Sequence, residues 1–221
     1  MNIIFLAVQG AGKGTIAKKL QEKYNYAHIS TGDILRERAT VGDEMGNKIK
    51  NMIDNGIFVP NDIIYEAIEY KITQPECEKG YILDGFPRNI EQAKGYDELL
   101  KKLGKDLGIV INLTIPDELL KKRIIGRRIC KKCGAIYNIY FDDFMPKVEG
   151  VCDKCGGELY QREDDNEESM NTRIKTYFEV TEPIIDYYKE KGVLKTIDAS
   201  QDNDIVLKEI ENILGSEDVD N

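Results

Sequence analysis

Apolar and polar positions fall in alternating blocks along the chain, and five short apolar runs stand out. Ile3-Ile4-Phe5-Leu6 is uninterrupted, the pattern of a strand buried on both faces. Ala27-His28-Ile29-Ser30 and Tyr81-Ile82-Leu83 read as two more strands. Ile109-Val110-Ile111, the core of a run from Leu107 to Ile115, is a fourth, and Val193 to Ile197 a fifth. The segments between carry helical spacing: Ile16 to Leu20, Ile34 onward, Met45-Ile49-Met52-Ile53, Ile63-Ile64-Ala67-Ile68, Glu91 to Leu103, and Ile205 to Leu214. Ser30-Thr31-Gly32-Asp33 supplies hydroxyls that can cap a helix start. Pro116 opens another helix, with Asp117 and Glu118 in the first turn where negative charge is favoured. A long helix runs from Ser169 through Arg173, Tyr177, Val180, Ile184, Ile185 and Tyr188, with Pro183 placed to kink or divide it. Asn55-Gly56, Gly104 and Gly192 end elements, and residues 215–221 read as a disordered acidic tail. Strands alternating with helices five times predict an α/β fold, a five-stranded parallel sheet with helices on both faces.

Two insertions interrupt that alternation. The first is helical and lies between the second and third strands. The second holds Cys130-Lys131-Lys132-Cys133, eighteen residues, then Cys152-Asp153-Lys154-Cys155. Two C-x-x-C knuckles at that separation fit a tetrahedral zinc site with no open position, hence a structural one. The segment between them, with Tyr137, Tyr140, Phe141, Phe144 and Pro146, is too small for a large core, and a metal would staple it. The fifth cysteine, Cys77, reads as a half-buried structural thiol.

Chemistry concentrates at the ends of the strands. After the first comes Gly10-Ala11-Gly12-Lys13-Gly14-Thr15 and then helical sequence. A glycine loop between a buried strand and a helix aims backbone N–H groups and the positive end of the helix dipole at one point, which suits a phosphate. Lys13 adds a mobile charge, and Thr15 a hydroxyl near Mg²⁺. The usual G-x-x-x-x-G-K-[ST] pattern is imperfect here, since Ala7 stands at its first glycine and Gly14 directly after the lysine. Asp84 ends the third strand, on the edge of an α/β sheet where ligands bind. It can hold Mg²⁺, or it can be a turn or cap residue. Arg88 follows a Phe86-Pro87 turn. His28, the single histidine, reads as a packed core residue rather than a catalyst.

Net charge is −9 over 221 residues, which argues against general nucleic-acid affinity. Arg36, Arg88, Arg123, Arg127, Arg128, Arg162 and Arg173 nonetheless suit small phosphorylated ligands, because the planar guanidinium donates paired hydrogen bonds. No apolar run approaches the roughly 20 residues of a membrane span, and the N-terminus leads straight into the glycine loop, so a cytoplasmic protein is expected. Arg162 to Glu168 is a charge run of the usually solvated kind, placed where the cysteine segment rejoins the core, as a hinge would be.

Taken together these motifs resemble adenylate kinase in its long form with a zinc-binding lid, a P-loop NTPase fold. The carriers are Gly10 to Thr15; Ser30-Thr31-Gly32-Asp33 with Arg36; Leu83-Asp84-Gly85-Phe86-Pro87-Arg88 with Gln92; Gly126-Arg127-Arg128; and Arg162 with Asp164-Asp165. They span the chain to about residue 214. The resemblance implies transfer of the ATP γ-phosphoryl group to AMP, giving two ADP, with Mg²⁺. Lys13, Asp84, Arg88, Arg127, Arg162 and Arg173 would be the catalytic set. Gly10, Ala11, Gly12, Lys13, Gly14, Thr15, Arg123, Arg127, Tyr137 and Gln201 would hold ATP. Thr31, Arg36, Val59, Gly85, Arg88, Gln92, Arg162 and Arg173 would hold AMP, with Gln92 reading the adenine edge. The core would comprise 1–29, 61–126 and 164–214, the AMP flap 30–60, and the lid 127–163 with Cys130, Cys133, Cys152 and Cys155 on zinc. ATP, AMP and ADP would be the partners of a monomer that binds neither nucleic acid nor membrane.

This chain departs from the family pattern at four places: Ala7 and Gln9 stand for a glycine and a proline, Asn89 for a threonine, and Ala199 for a glycine near the ATP base. A methyl at position 7 would press on the loop if its backbone took positive φ. The alternatives are another nucleoside monophosphate kinase, with a UMP or CMP acceptor or a GTP donor, and a zinc-ribbon nucleotide-binding module without kinase activity. A guanine-binding switch is excluded by the lack of an Asn-Lys-x-Asp motif.

Overall fold

A computed structural model describes residues 1–8, 10–54, 59–162 and 165–217, with backbone alone at residues 53, 54, 173, 216 and 217. Five strands, β1 (Ile3–Leu6), β2 (Ala27–Ser30), β3 (Tyr81–Asp84), β4 (Ile109–Thr114) and a final strand Leu194–Asp198, form one parallel sheet. The final strand is β8, and the spatial order is β2-β3-β1-β4-β8. Side chains alternate across the sheet, so each strand feeds two cores. Ile3, Phe5, Ile82, Ile109 and Ile111 pack with Ile16 and Leu20 of α1 (Lys13–Tyr24) and Val206 and Ile210 of α9 (Asn203–Glu217). Ile4, Leu6, Tyr81, Leu83 and Val110 pack on the opposite face. There they meet Ile68 of α4 (Asn61–Ile72), Tyr96 of α5 (Ile90–Leu103) and Ile184 of α8 (Glu182–Glu190). Burial on both faces is why the strands read as apolar runs rather than alternating ones.

Local rules set most helix ends. Ser30 caps α2 (Thr31–Ala39), its hydroxyl accepting from the Asp33 N–H. Asn89 caps α5 through the Gln92 N–H at 2.8 Å, so the departure at position 89 keeps a capping side chain. Gly104 closes α5 at φ 64. The helix predicted from Ser169 runs without a break from Glu167 to Glu190, as α7 (Glu167–Thr176), a π-helical turn over Tyr177–Thr181, and α8 with Pro183 in its first turn. The chain widens by one π turn just before Pro183 rather than ending there. The helix expected over Ile205–Leu214 starts at Asn203 and continues to Glu217, so residues 215–217 are helical rather than tail; 218–221 lie outside the described residues.

The insertions differ in kind. Between β2 and β3 are α2, α3 (Glu44–Asp54) and α4, with Asn55-Gly56 outside the described residues. After α6 (Asp117–Ile125) comes a separate antiparallel sheet of β5 (Arg127–Cys130), β6 (Ile136–Asn138) and β7 (Leu159–Tyr160), in order β6-β5-β7. No sequence pattern announced this small sheet: its strands are too short for period two to show. Among the described residues, no helix is long and apolar enough to cross a membrane.

Candidate active site and metal centre

The carboxyl ends of the parallel strands β1, β2, β3 and β8 lie along one edge of the sheet, and the glycine loop, Thr31, Asp84 and Ala199 follow directly from them. Gly10 and Gly12 take φ of 96° and 103°, conformations open to glycine. At Gly10 a side chain is excluded twice over, since a Cβ would lie 2.6 Å from Ile124 Cγ1. The loop is thus pressed onto α6, and Arg123 of that helix donates to the Ala11 carbonyl at 3.2 Å. Ala7 causes no strain. Among the described residues the single non-glycine at positive φ is Asn25, so the backbone of Ala7 does not need a glycine, and its methyl packs in the core. Gln9 lies outside the described residues.

Lys13 opens α1, and its ammonium donates to the Ala7 carbonyl at 2.9 Å and to the Val8 carbonyl at 3.4 Å. Burial lowers its pKa; the nearby Asp84 carboxylate opposes this and Arg88 adds to it. Burial alone would raise Asp84, but His28, Lys13 and Arg88 outweigh it and hold the carboxyl below its ordinary range. Arg88 is lowered by burial, against the pull of Asp84, with Arg36 adding repulsion. Lys13, Asp84 and Arg88 therefore act on one another's charge, and Arg36 acts on Arg88. Such a balance of two or three cations around one carboxylate suits a polyanion with a divalent cation.

On the acceptor side, Thr31 is buried and donates to the Gly85 carbonyl at 3.0 Å, while Arg88 Nε donates to the same oxygen at 2.8 Å. Arg36 is exposed and paired with Asp33. Val59 is 8% exposed within the core cluster, and Gln92 is 3% exposed. On the donor side, Ala199 is buried at the end of β8, and Gln201 is exposed just beyond it. Gly14 faces open space and Thr15 is half-buried in the first turn of α1. Arg162 is exposed after β7; Asp164 lies outside the described residues, as does the side chain of Arg173 on α7.

Two placements were not legible in the sequence. Arg127 grips Asp165 with two hydrogen bonds, Nε to Oδ2 at 2.9 Å and Nη2 to Oδ1, and Asp165 is fully buried. An acid inside a run expected to be solvated is instead the anchor where the inserted sheet rejoins the core. His28, read as a packed core residue, has Nε2 3.6 Å from Asp84 Oδ2, an electrostatic contact rather than a hydrogen bond. Parallel pairing of β2 with β3 brings it there, and no local signal reports that pairing.

In the insertion, Cys130, Cys133, Cys152 and Cys155 converge, all four sulfurs within 4.8 Å of one another. The pairs Cys130–Cys155 and Cys133–Cys152 stand at 3.5 and 3.6 Å. Ligands on a tetrahedral zinc would be about 3.8 Å apart, given Zn–S bonds of about 2.3 Å. The fit extends to the surroundings: a Cβ on Gly157 would lie 3.0 Å from Cys130 Sγ, so only glycine lets the second knuckle close. Tyr137 is turned into this cluster. Its hydroxyl lies 3.4 Å from Cys152 Sγ and accepts from the Asp153 N–H at 2.8 Å. That contact, with backbone N–H groups, holds the Cys152 thiol down to about 6. Among the described residues, the insertion's buried hydrophobic cluster comprises five side chains, while Ile136, Tyr140, Phe144, Met145, Val148 and Val151 are exposed. Four thiolates around a cation would supply the cohesion that so small a core lacks.

A parallel sheet with a glycine loop after its first strand, a lysine at the helix start, and an acid and arginines on the same edge define a P-loop phosphotransferase acting on nucleotides. A family model described as adenylate kinase matches residues 5–193. A protein of Archaeoglobus fulgidus named adenylate kinase is 50% identical over 97% of this chain and 98% of its own length. Proteins of the same name from Thermosipho melanesiensis and Clostridioides difficile are 48% and 47% identical, over 97% and 98% of this chain and 99% of their own lengths. The chain belongs to the adenylate kinase family, the ATP:AMP phosphotransferases.

Proposed function

We propose that this edge of the sheet carries out this reaction with the residues already described: an oxygen of the AMP phosphate takes the γ-phosphoryl group of ATP, the β–γ bridging oxygen leaves, and two ADP result. Phosphoryl transfer needs in-line positioning and charge neutralisation more than covalent chemistry. The observation that carries the reading is the placement of Lys13, just beyond β1, with Asp84 and Arg88, at and just beyond the end of β3, along one edge of two paired parallel strands. Lys13 and the amides of Gly10 to Thr15 hold the ATP phosphates, with Arg123 toward the base and Gln201 beside the nucleotide; Tyr137, expected on ATP, is instead buried against Cys152. Thr31, Arg36, Val59, Gly85, Arg88 and Gln92 hold AMP. Arg127, Arg162 and Arg173 gather on the phosphates. Arg127 has two of its five N–H donors on Asp165, leaving three for a phosphate.

Asp84, a carboxylate at the carboxyl end of β3, would position Mg²⁺, directly or through water, and the ion would neutralise phosphate charge there. The four cysteines would hold a structural Zn²⁺. Segments 30–60 and 127–163 close as flap and lid over a core of 1–29, 61–126 and 164–214, excluding water and so limiting ATP hydrolysis. The protein works as a cytoplasmic monomer on free nucleotides, with no nucleic acid or membrane partner.

The test is a steady-state panel pairing ATP and GTP with AMP, GMP, CMP and UMP, run on the parent and on Lys13→Met. ATP with AMP should give the largest kcat/KM. Lys13→Met should keep the fold and lower kcat roughly 10²–10³-fold, the scale of losing one preorganised charge contact. A faster reaction with CMP or UMP, or near-parent turnover in Lys13→Met, would refute the assignment.

A further inference from the structure

Gln92 is nearly fully buried, and its side-chain amide is held from both ends. Oε1 accepts from the backbone N–H of Arg88 at 2.8 Å, and Nε2 donates to Asn61 Oδ1 at 2.9 Å. Its own backbone N–H is taken by the capping Asn89 at 2.8 Å, which fixes the start of α5 beneath it. An amide has two N–H donors and two acceptor lone pairs. One of each is used, so Gln92 presents one donor and one acceptor, in an order set by its partners.

That order matters because purines differ in it. The six-membered edge of adenine offers a donor, the 6-amino group, beside an acceptor, N1. Guanine offers an acceptor, O6, beside a donor, N1–H. The two patterns superimpose in place and are opposite in sense. A glutamine free to rotate by half a turn serves both. The turned state here would set the Gln92 NH₂ against the Arg88 N–H, donor against donor. It would also set Oε1 against Asn61 Oδ1 unless Asn61 turned as well.

We propose that Asn61 is a specificity-determining positioning residue: with the Arg88 N–H it locks the Gln92 amide in one sense, and the lock makes the acceptor site select a 6-aminopurine over a 6-oxopurine. Asn61 acts through Gln92 and need not touch the nucleotide. The inference rests on the assignment of Gln92 to the acceptor base. Nothing in the sequence around Asn61 signals the role, since Val59-Pro60-Asn61-Asp62 reads simply as a helix start. The contact joins residues 31 apart and exists only because α4 packs beside α5.

The experiment compares Asn61→Ala, Asn61→Asp and Gln92→Leu with the parent, using AMP and GMP as acceptors at saturating ATP, with melting temperatures recorded. Asn61→Ala should raise KM for AMP about 10-fold, with kcat within about 2-fold, and lower the AMP-over-GMP ratio of kcat/KM about 10-fold, the scale of one hydrogen bond. Asn61→Asp should restore the parent ratio, because a carboxylate accepts the same N–H and has no donor to offer a turned amide. An AMP/GMP ratio within about 2-fold of the parent in Asn61→Ala overturns the lock, as does a fall in kcat with that ratio unchanged, which marks a purely structural effect. Gln92→Leu separates the two readings: an unchanged KM for AMP removes Gln92 from the base site, whereas a raised KM there with a silent Asn61→Ala overturns the lock alone.

Discussion

Replacing Asp165 by alanine is the sharpest test of how the inserted sheet is joined to the core. Asp165 has no exposed side-chain surface and Arg127 only 14%. The substitution would strand a guanidinium that water reaches poorly. Breaking a buried pair by removing one partner costs about 3–5 kcal/mol. Arg127 keeps some solvent, so the lower end, about 3 kcal/mol, is expected. For a chain of this size each kcal/mol lowers the melting temperature by about 2–4 °C. Calorimetry of metal-loaded protein should therefore show a fall of about 6–12 °C in Asp165→Ala. The cost lies in the uncompensated charge rather than in lost attraction. Arg127→Met with Asp165→Leu should accordingly recover most of the loss, although it removes a proposed phosphate contact and with it activity. A melting temperature within about 2 °C of the parent in Asp165→Ala, or a double variant no better than the single, would refute the argument.

Three further substitutions probe the cysteine cluster and Asp84. Cys130→Ser should abolish the high-affinity metal and lower the melting temperature, while Tyr137→Phe, which keeps the ring and removes only the hydroxyl on Cys152 Sγ, should weaken zinc binding about 10–100-fold in a chelator competition; unchanged metal content in the first or unchanged affinity in the second counts against the site as drawn. Asp84 is held below its ordinary pKa in the fold, so its contribution to stability is present above the usual carboxylate range and is lost as pH falls through that range toward the lowered value. Denaturant melts between about pH 3 and 7 should show a shallower acid-side loss in Asp84→Asn than in the parent, and parallel curves would contradict the depressed carboxyl.

The chain order alone carried much of this protein. Strands buried on both faces must be apolar throughout, so Ile3 to Leu6 and Ile109 to Ile111 were visible as runs. Phosphate loops need glycine for backbone reasons that hold locally, so Gly10 to Lys13 announced itself, and two cysteine knuckles did the same for the four-cysteine cluster. Caps are local too, which is why Ser30 and Gly104 read correctly. The rest depended on neighbours distant in sequence. Whether Ala7 strains the loop was a question of one backbone angle, which composition does not contain. Tyr137 turned toward sulfur because β6 pairs with β5 and the second knuckle folds back over it. Asp165 is buried, His28 faces Asp84, and Asn61 holds Gln92, each through a partner 31 to 56 residues away. Pairwise hydrogen bonds and charges act over a few ångströms of space, and only the packed sheet and helices decide which residues come that close.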